Sequence, residues 1–292
     1  SEAKNLLCLG APGAVSAGVI QINLFIDMIF ASLLPTGAVS YLFYADRLNQ
    51  LPLGVVGIAV STALLPELSK SVQAKNLSQI SEIQNRALEL ALAITLPAAI
   101  GLILLGTPFV FLLFERGAFS MQDATATGHT LSAFASGLPA YVLVKILSTS
   151  FFARKDTKTP MKVAIAAVIL NLILNFILIG PLSYIGLALA TAISAWFNAL
   201  TLGALLYFRK WLLFDAQLKT TLPRFTLSSI MMGMVCYALY ALTPFPSSTV
   251  LRFIIVSAWI GIGAITYLLS ARLMGTFQFK DLQKFLQKQS VS

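Results

Sequence analysis

Long apolar runs separated by short polar stretches occupy almost the whole chain, and each is long enough to cross a hydrocarbon layer of ~30 Å. Taken in order they predict eight helical spans, over about 10–34, 38–66, 87–114, 124–152, 163–179, 184–208, 225–242 and 250–273. Turn signals separate them. Pro35, Thr36 and Gly37 follow the first run, Gly180 and Pro181 end the fifth, and the segment 243–248 (TPFPSS) lies between the last two. Pro52, Pro97 and Pro108 fall inside runs and predict kinks or breaks there. The polar stretch 67–86 predicts a separate surface helix. The tail 276–292 alternates Phe279, Leu282, Phe285 and Leu286 with Lys280, Lys284 and Lys288, the pattern of an interfacial amphipathic helix.

The second run is the anomaly, because it carries Asp46 and Arg47 well inside an otherwise membrane-length helix. Counted from Ala38, Arg47 lies ~15 Å deep at ~1.5 Å per residue. A guanidinium there costs about 2.5–3.5 kcal/mol on insertion scales and does not escape by losing its proton. Ser40, Tyr44, Arg47, Gln50 and Gly54 recur at helical spacing and form one polar stripe, while Leu42, Ala45, Leu48 and Val55 form the opposite face. Two readings stay open: Asp46 and Arg47 hold neighbouring helices in register through buried partners, or the stripe lines a watery cavity in which Arg47 meets a carboxylate or phosphate.

Composition agrees with the pattern. Of 292 residues 58% are hydrophobic and 11% charged, which defines an all-α polytopic membrane protein. The formal net charge of +9 does not call for nucleic acid. Its basic residues cluster in connectors on one side, at 70–86, 153–162, 209–224 and 272–288, which places both termini in the cytoplasm with those loops facing anionic lipid headgroups. The opening residues lack the basic region of a signal peptide. Two cysteines, Cys8 and Cys236, and one histidine, His129, offer neither a disulfide framework nor a zinc cluster. With no phosphate loop, nucleophile elbow or metalloprotease signature, the chain is expected not to be an enzyme. A transporter with an inner cavity and a noncatalytic membrane scaffold remain.

Four polar residues share one depth. Counted from the helix ends opposite the basic connectors, Asp27, Asn171, Asn175 and Thr191 all fall ~6–12 Å below the same surface. One carboxylate, two amides and a hydroxyl make a hard-oxygen set suited to a small cation such as sodium. The same asparagines also serve as interhelical glue. For Asp27 two further partners are open, a salt bridge to Arg47 or a proton shared with Asn171.

Four segments, 21–40 (QINLFIDMIFASLLPTGAVS), 40–69 (SYLFYADRLNQLPLGVVGIAVSTALLPELS), 114–124 (FERGAFSMQDA) and 151–165 (FFARKDTKTPMKVAI), resemble the MurJ (MviN) lipid II flippases of the multidrug/oligosaccharidyl-lipid/polysaccharide exporter superfamily. The resemblance covers the chain in order. It implies that residues 1–210 form the second six-helix lobe of a fourteen-span, two-lobed fold and 211–275 two additional helices, with the N-terminal lobe missing. It implies transport of undecaprenyl-pyrophosphate-linked disaccharide-peptide, lipid II, across a bacterial inner membrane by alternating access. Arg47 would be the cavity arginine of this lobe, with Ser40, Tyr44 and Asp46 as substrate-binding neighbours. Asp27, Asn171, Asn175 and Thr191 would hold sodium. A related exporter of another lipid-linked oligosaccharide or of a drug is the alternative within transport.

Overall fold

The computed structural model describes residues 25–59, 64–114, 117, 119–243 and 249–276. Within them the chain is helical throughout: α1 (25–32), α2 (Ala38–Ala59), α3 (Leu65–Gln73), α4 (Leu77–Phe114), α5 (Met121–Ala135), α6 (Leu138–Phe152), α7 (Lys158–Phe208), α8 (Ala216–Leu242) and α9 (Thr249–Leu273). The expected start of the first span at 10–24 and the amphipathic tail at 277–292 lie outside the described residues. Five stretches among the described residues are long and apolar enough to cross a membrane: α4, α5 with α6, α7, α8 and the bulk of α9. With its Asp, Arg, Asn and Gln, α2 is less apolar and stands outside that group. The protein is an all-helical, multi-pass membrane protein.

Several boundaries differ from the sequence reading, for identifiable reasons. The polar stretch 67–86 is not one surface helix. Asn76 accepts from the Gln79 amide at 3.1 Å and starts α4 ten residues before the expected Ala87. The polar residues of its first turns have tertiary partners: Gln84 donates to Ser150 at 2.9 Å, Asn85 to the Leu213 carbonyl at 2.8 Å, and Arg86 pairs with Glu89 and Asp215. Nor does α4 break at Pro97 or Pro108. Pro97 has no N–H to give the Ala93 carbonyl, and the buried Tyr267 hydroxyl of α9 donates to that carbonyl instead, at 2.6 Å.

The expected single helix 124–152 is two. A capping box at Ser120 and Asp123 starts α5 at Met121. It stops at Ser136, whose carbonyl accepts from Trp196 Nε1 at 3.0 Å. Gly137 lies so close to α7 that an added Cβ would stand 2.8 Å from the Ala192 Cα. The fifth and sixth spans turn at Ser183 (φ 52°, ψ −132°), not at Gly180 and Pro181, so that α7 is a hairpin of two helical arms, 158–182 and 184–208. At Gly186 the arms are in backbone contact, since a Cβ there would meet the Leu178 carbonyl oxygen at 2.4 Å. The basic connector is shorter than expected. Asp215 caps α8 through the Leu218 amide at 2.7 Å, so the helix begins at Ala216 and not at Phe225.

Packing then orients the site. The Ala45 and Leu48 face of α2 is buried against Val110, Phe111, Leu131, Phe134 and Ala188 of α4, α5 and α7. Phe30 and Ala31 of α1 pack on Leu187 and Leu172 of the two α7 arms, with Phe30 edge-on to Phe176 at 4.8 Å. On the far side, Met232, Cys236, Val256 and Trp259 join α8 and α9 to α4.

Candidate functional site

Two polar constellations lie in this bundle. The first is a closed ring of side chains linking α1 to both arms of α7. Asn175 Nδ2 donates to Asp27 Oδ1 at 2.8 Å and to Asn171 Oδ1 at 3.1 Å, and Asn171 Nδ2 donates to Thr191 Oγ1 at 3.3 Å. The Thr191 hydroxyl lies 3.3 Å from Asp27 Oδ2 and 3.1 Å from the Leu187 carbonyl, so one proton serves two acceptors. Asn171 and Asn175 are almost fully buried. The hairpin makes the ring: Asn171 and Thr191 lie on opposite arms, held face to face by the contact at Gly186.

The ring holds the oxygens a small cation takes: a carboxylate, two amide carbonyls, a hydroxyl and the Leu187 carbonyl. As arranged, both amides turn nitrogen toward the acceptors. A half-turn about the last torsion of each asparagine would present oxygen instead, so the donor chemistry fits a monovalent ion. Among the described residues no ion pair joins Arg47 to Asp27.

The second constellation is the stripe on α2. Ser40, Arg47, Gln50 and Gly54 are exposed while the opposite face is buried. Arg47 is held from both sides: Nη1 donates to Gln50 Oε1 at 3.3 Å, and the guanidinium carbon stands 5.0 Å from the centre of the Phe43 ring. Gln50 also donates through Nε2 to Asp46 Oδ2, so that one amide brackets two charges which, being adjacent on the helix, diverge by about 100°. Sequence reasoning placed Gln50 in the stripe but not this bracketing. Tyr44 stands differently from the other predicted contacts. It is half-buried in an aromatic cluster with Phe114 at 4.8 Å and Phe119 at 5.6 Å. One turn nearer the helix start, Tyr41 donates to Asp123 and ties α2 to the head of α5.

The bundle also holds buried polar groups that the sequence reading missed. Buried oxygens of Asn49, Tyr141, Ser194 and Asn198 have no hydrogen-bond partner. A signal for this was present: Ser194 and Asn198 follow Thr191 by three and seven residues, on one face of the second α7 arm, and Asn49 follows Asp46 by three.

The family model described as "Lipid II flippase MurJ" matches residues 1–258. A curated relative from Rhizobium meliloti (strain 1021), named "Probable lipid II flippase MurJ", is 44% identical over 246 residues, 84% of this chain and 46% of the relative. One of the same name from Vibrio cholerae is 33% identical over 280 residues, 93% of this chain and 52% of the relative. The solved structure "Lipid II flippase MurJ, inward closed conformation" superposes with a TM-score of 0.77 at 33% identity, covering 96% of this chain and 55% of that one. A multidrug resistance MATE family transporter of the MOP superfamily, in an outward-facing conformation, shares the fold, with a TM-score of 0.60 at 16% identity. The chain therefore spans about half the length of the curated relatives it matches, and it belongs to the MurJ lipid II flippase family.

Proposed function

We propose that this chain is the second lobe, with two accompanying helices, of a flippase that moves lipid II across a bacterial inner membrane, both of its ends lying in the cytoplasm. The observation that carries the reading is the one-sided exposure of α2. Its Ala45 and Leu48 face is packed into the bundle, while Ser40, Arg47, Gln50 and Gly54, with Phe43 and Leu51 among them, are left on an open face. A first lobe set against that face would enclose a cavity with Arg47 inside it. The guanidinium, held by Gln50 and Phe43, presents a planar fork matched to a diphosphate, and Ser40 and Asp46 flank it. Tyr44 serves this reading by bracing α2 against Phe114 and Phe119. The relatives' name supports lipid II as substrate.

Asp27, Asn171, Asn175 and Thr191 would hold sodium, whose charge would offset the Asp27 carboxylate within the membrane. The test uses a full-length protein in which this segment replaces the corresponding half of the Rhizobium meliloti relative. Arg47→Ala, inserted at normal levels, is expected to abolish growth support in a host depleted of its own flippase. Arg47→Lys is expected to restore it only in part, because an ammonium is a point charge. Growth at the unsubstituted rate with Arg47→Ala would return the pair Asp46 and Arg47 to a register-holding role.

A further inference from the structure

One intramembrane charge is left over by this reading. Lys145 stands in the middle of α6, where Val142, Ile146 and Leu147 are buried in the core and the lysine itself is exposed. It forms no ion pair among the described residues. An ammonium within a span is costly unless it faces water, an anion or the headgroups. The simplest relief would be for the side chain to reach along α6 to the headgroups beyond Phe152. Two observations oppose that. Side chains on a helix lean toward its N-terminus, here away from the Phe152 end. The ammonium is instead against α2, where a Cβ added at Gly57 would lie 3.2 Å from Nζ.

That position borders the stripe. Gly57 is ten residues beyond Arg47, so it is ~15 Å further along α2 and ~80° around it, on the flank that carries Asp46 and Gln50. Gly54, one turn earlier, has open space where a side chain would stand. The open face thus carries two cations at two depths, and the second one fits beside a helix edge left bare by glycine.

We propose that Lys145, seated at the Gly57 edge, is a second anion-binding point of this face, which takes a carboxylate on the peptide part of the substrate while Arg47 takes its diphosphate. This deepens the function proposed above and rests on it. The separation is too wide for one diphosphate to bridge both cations. The chemistry also divides: a planar fork suits a diphosphate, whereas three rotatable N–H donors on a flexible stem suit a mobile carboxylate.

The test is equilibrium binding to the 292-residue chain in lipid nanodiscs, with two probes: the complete precursor, and the polyprenyl diphosphate without sugar or peptide. Lys145→Met is expected to weaken the complete precursor about tenfold, as loss of a charge-assisted contact does, and to leave the bare diphosphate lipid within about twofold. Lys145→Arg keeps the charge and most of the affinity. Gly57→Val, which fills the space beside the ammonium, reproduces the loss with the lysine still present. Unliganded melting midpoints close to that of the unsubstituted chain show that these proteins are folded. Equal weakening of both probes by Lys145→Met, or of neither, overturns the carboxylate assignment, as does failure of the unsubstituted chain to prefer the complete precursor. Arg47→Ala separates the two levels: it weakens both probes if the diphosphate reading holds, and leaves both unchanged if that reading fails, whatever Lys145 does.

Discussion

Asp27 places an ionisable side chain within a membrane helix, where a charge is costly unless it is offset. Its two oxygens accept from Asn175 and Thr191, two neutral side chains that orient the carboxylate. Replacement by Asn therefore has a divided effect. It keeps the size and most of the hydrogen-bonding capacity, and it removes the charge that a cation would offset. In the full-length protein, sodium is expected to raise the melting midpoint saturably, with potassium and choline less effective, and Asp27→Asn is expected to abolish the increment while the sodium-free midpoint stays level or rises. Equal increments from all three salts would eliminate the cation site. Asn171 and Asn175 invite the complementary test, because Asn175→Asp would place a second carboxylate in the ring and make folding itself depend on the cation.

Among the helices, what was legible in the sequence was whatever repeats with the helical period. The stripe on α2 and the four members of the ring could be read because spacing fixes the face and residue count fixes the depth. The interruption at Ser136 and Gly137 was hidden, since the apolar run continues through it and its completing partner, Trp196, is sixty residues away. The early start of α4 was misread for the opposite reason: Gln84, Asn85 and Arg86 look like surface until Ser150, Leu213 and Asp215 are brought to them. Pro97 and Tyr267 give this a measurable form. Tyr267→Phe leaves the Ala93 carbonyl without its donor and is expected to destabilise the bundle by about 1 kcal/mol. Pro97→Ala supplies a backbone N–H to the same carbonyl, so in the double variant the Tyr267→Phe loss should shrink; strictly additive losses would show that the hydroxyl has no such role. At the turn between α6 and α7, Asp156 offers a pH test. Partial burial opposes its ionisation, but hydrogen bonds from Thr159 and Arg209 outweigh this and hold the carboxyl below the usual carboxylate range. A depressed folded-state value means that the contribution is present above the unfolded pKa and is lost as pH falls through the folded one. The acid limb of a stability profile is therefore expected to soften in Asp156→Asn, with lower stability at neutral pH.

The whole molecule exposes two kinds of surface, which the fold alone does not tell apart. Ile165, Ile169, Ile173 and Ile177 on the first arm of α7, and Ile265, Leu268 and Leu269 on α9, are exposed and wholly aliphatic. Ser40, Arg47 and Gln50 on α2 are exposed and polar, with Gly54, Phe43 and Leu51 exposed beside them. Burial is the same for both groups, and chemistry divides them: aliphatic faces suit hydrocarbon, while a stripe bearing a guanidinium and an amide needs water or a ligand. The exposed guanidinium of Arg47 and ammonium of Lys145 both border the polar face of α2, over which a first lobe would close. Single cysteines test the division in the full-length protein after Cys8 and Cys236 are replaced. Ser40→Cys and Gly54→Cys are expected to react with a charged, water-soluble thiol reagent in intact membranes, and to be protected when lipid II is supplied. Ile173→Cys and Leu268→Cys are expected to stay unreactive until detergent is added, because a thiol in hydrocarbon is neither ionised nor reachable by a charged reagent. Should Gly54→Cys behave like Ile173→Cys, the polar face of α2 would be closed against protein or lipid, and Arg47 would have to find its counter-charge in a helix of the other lobe.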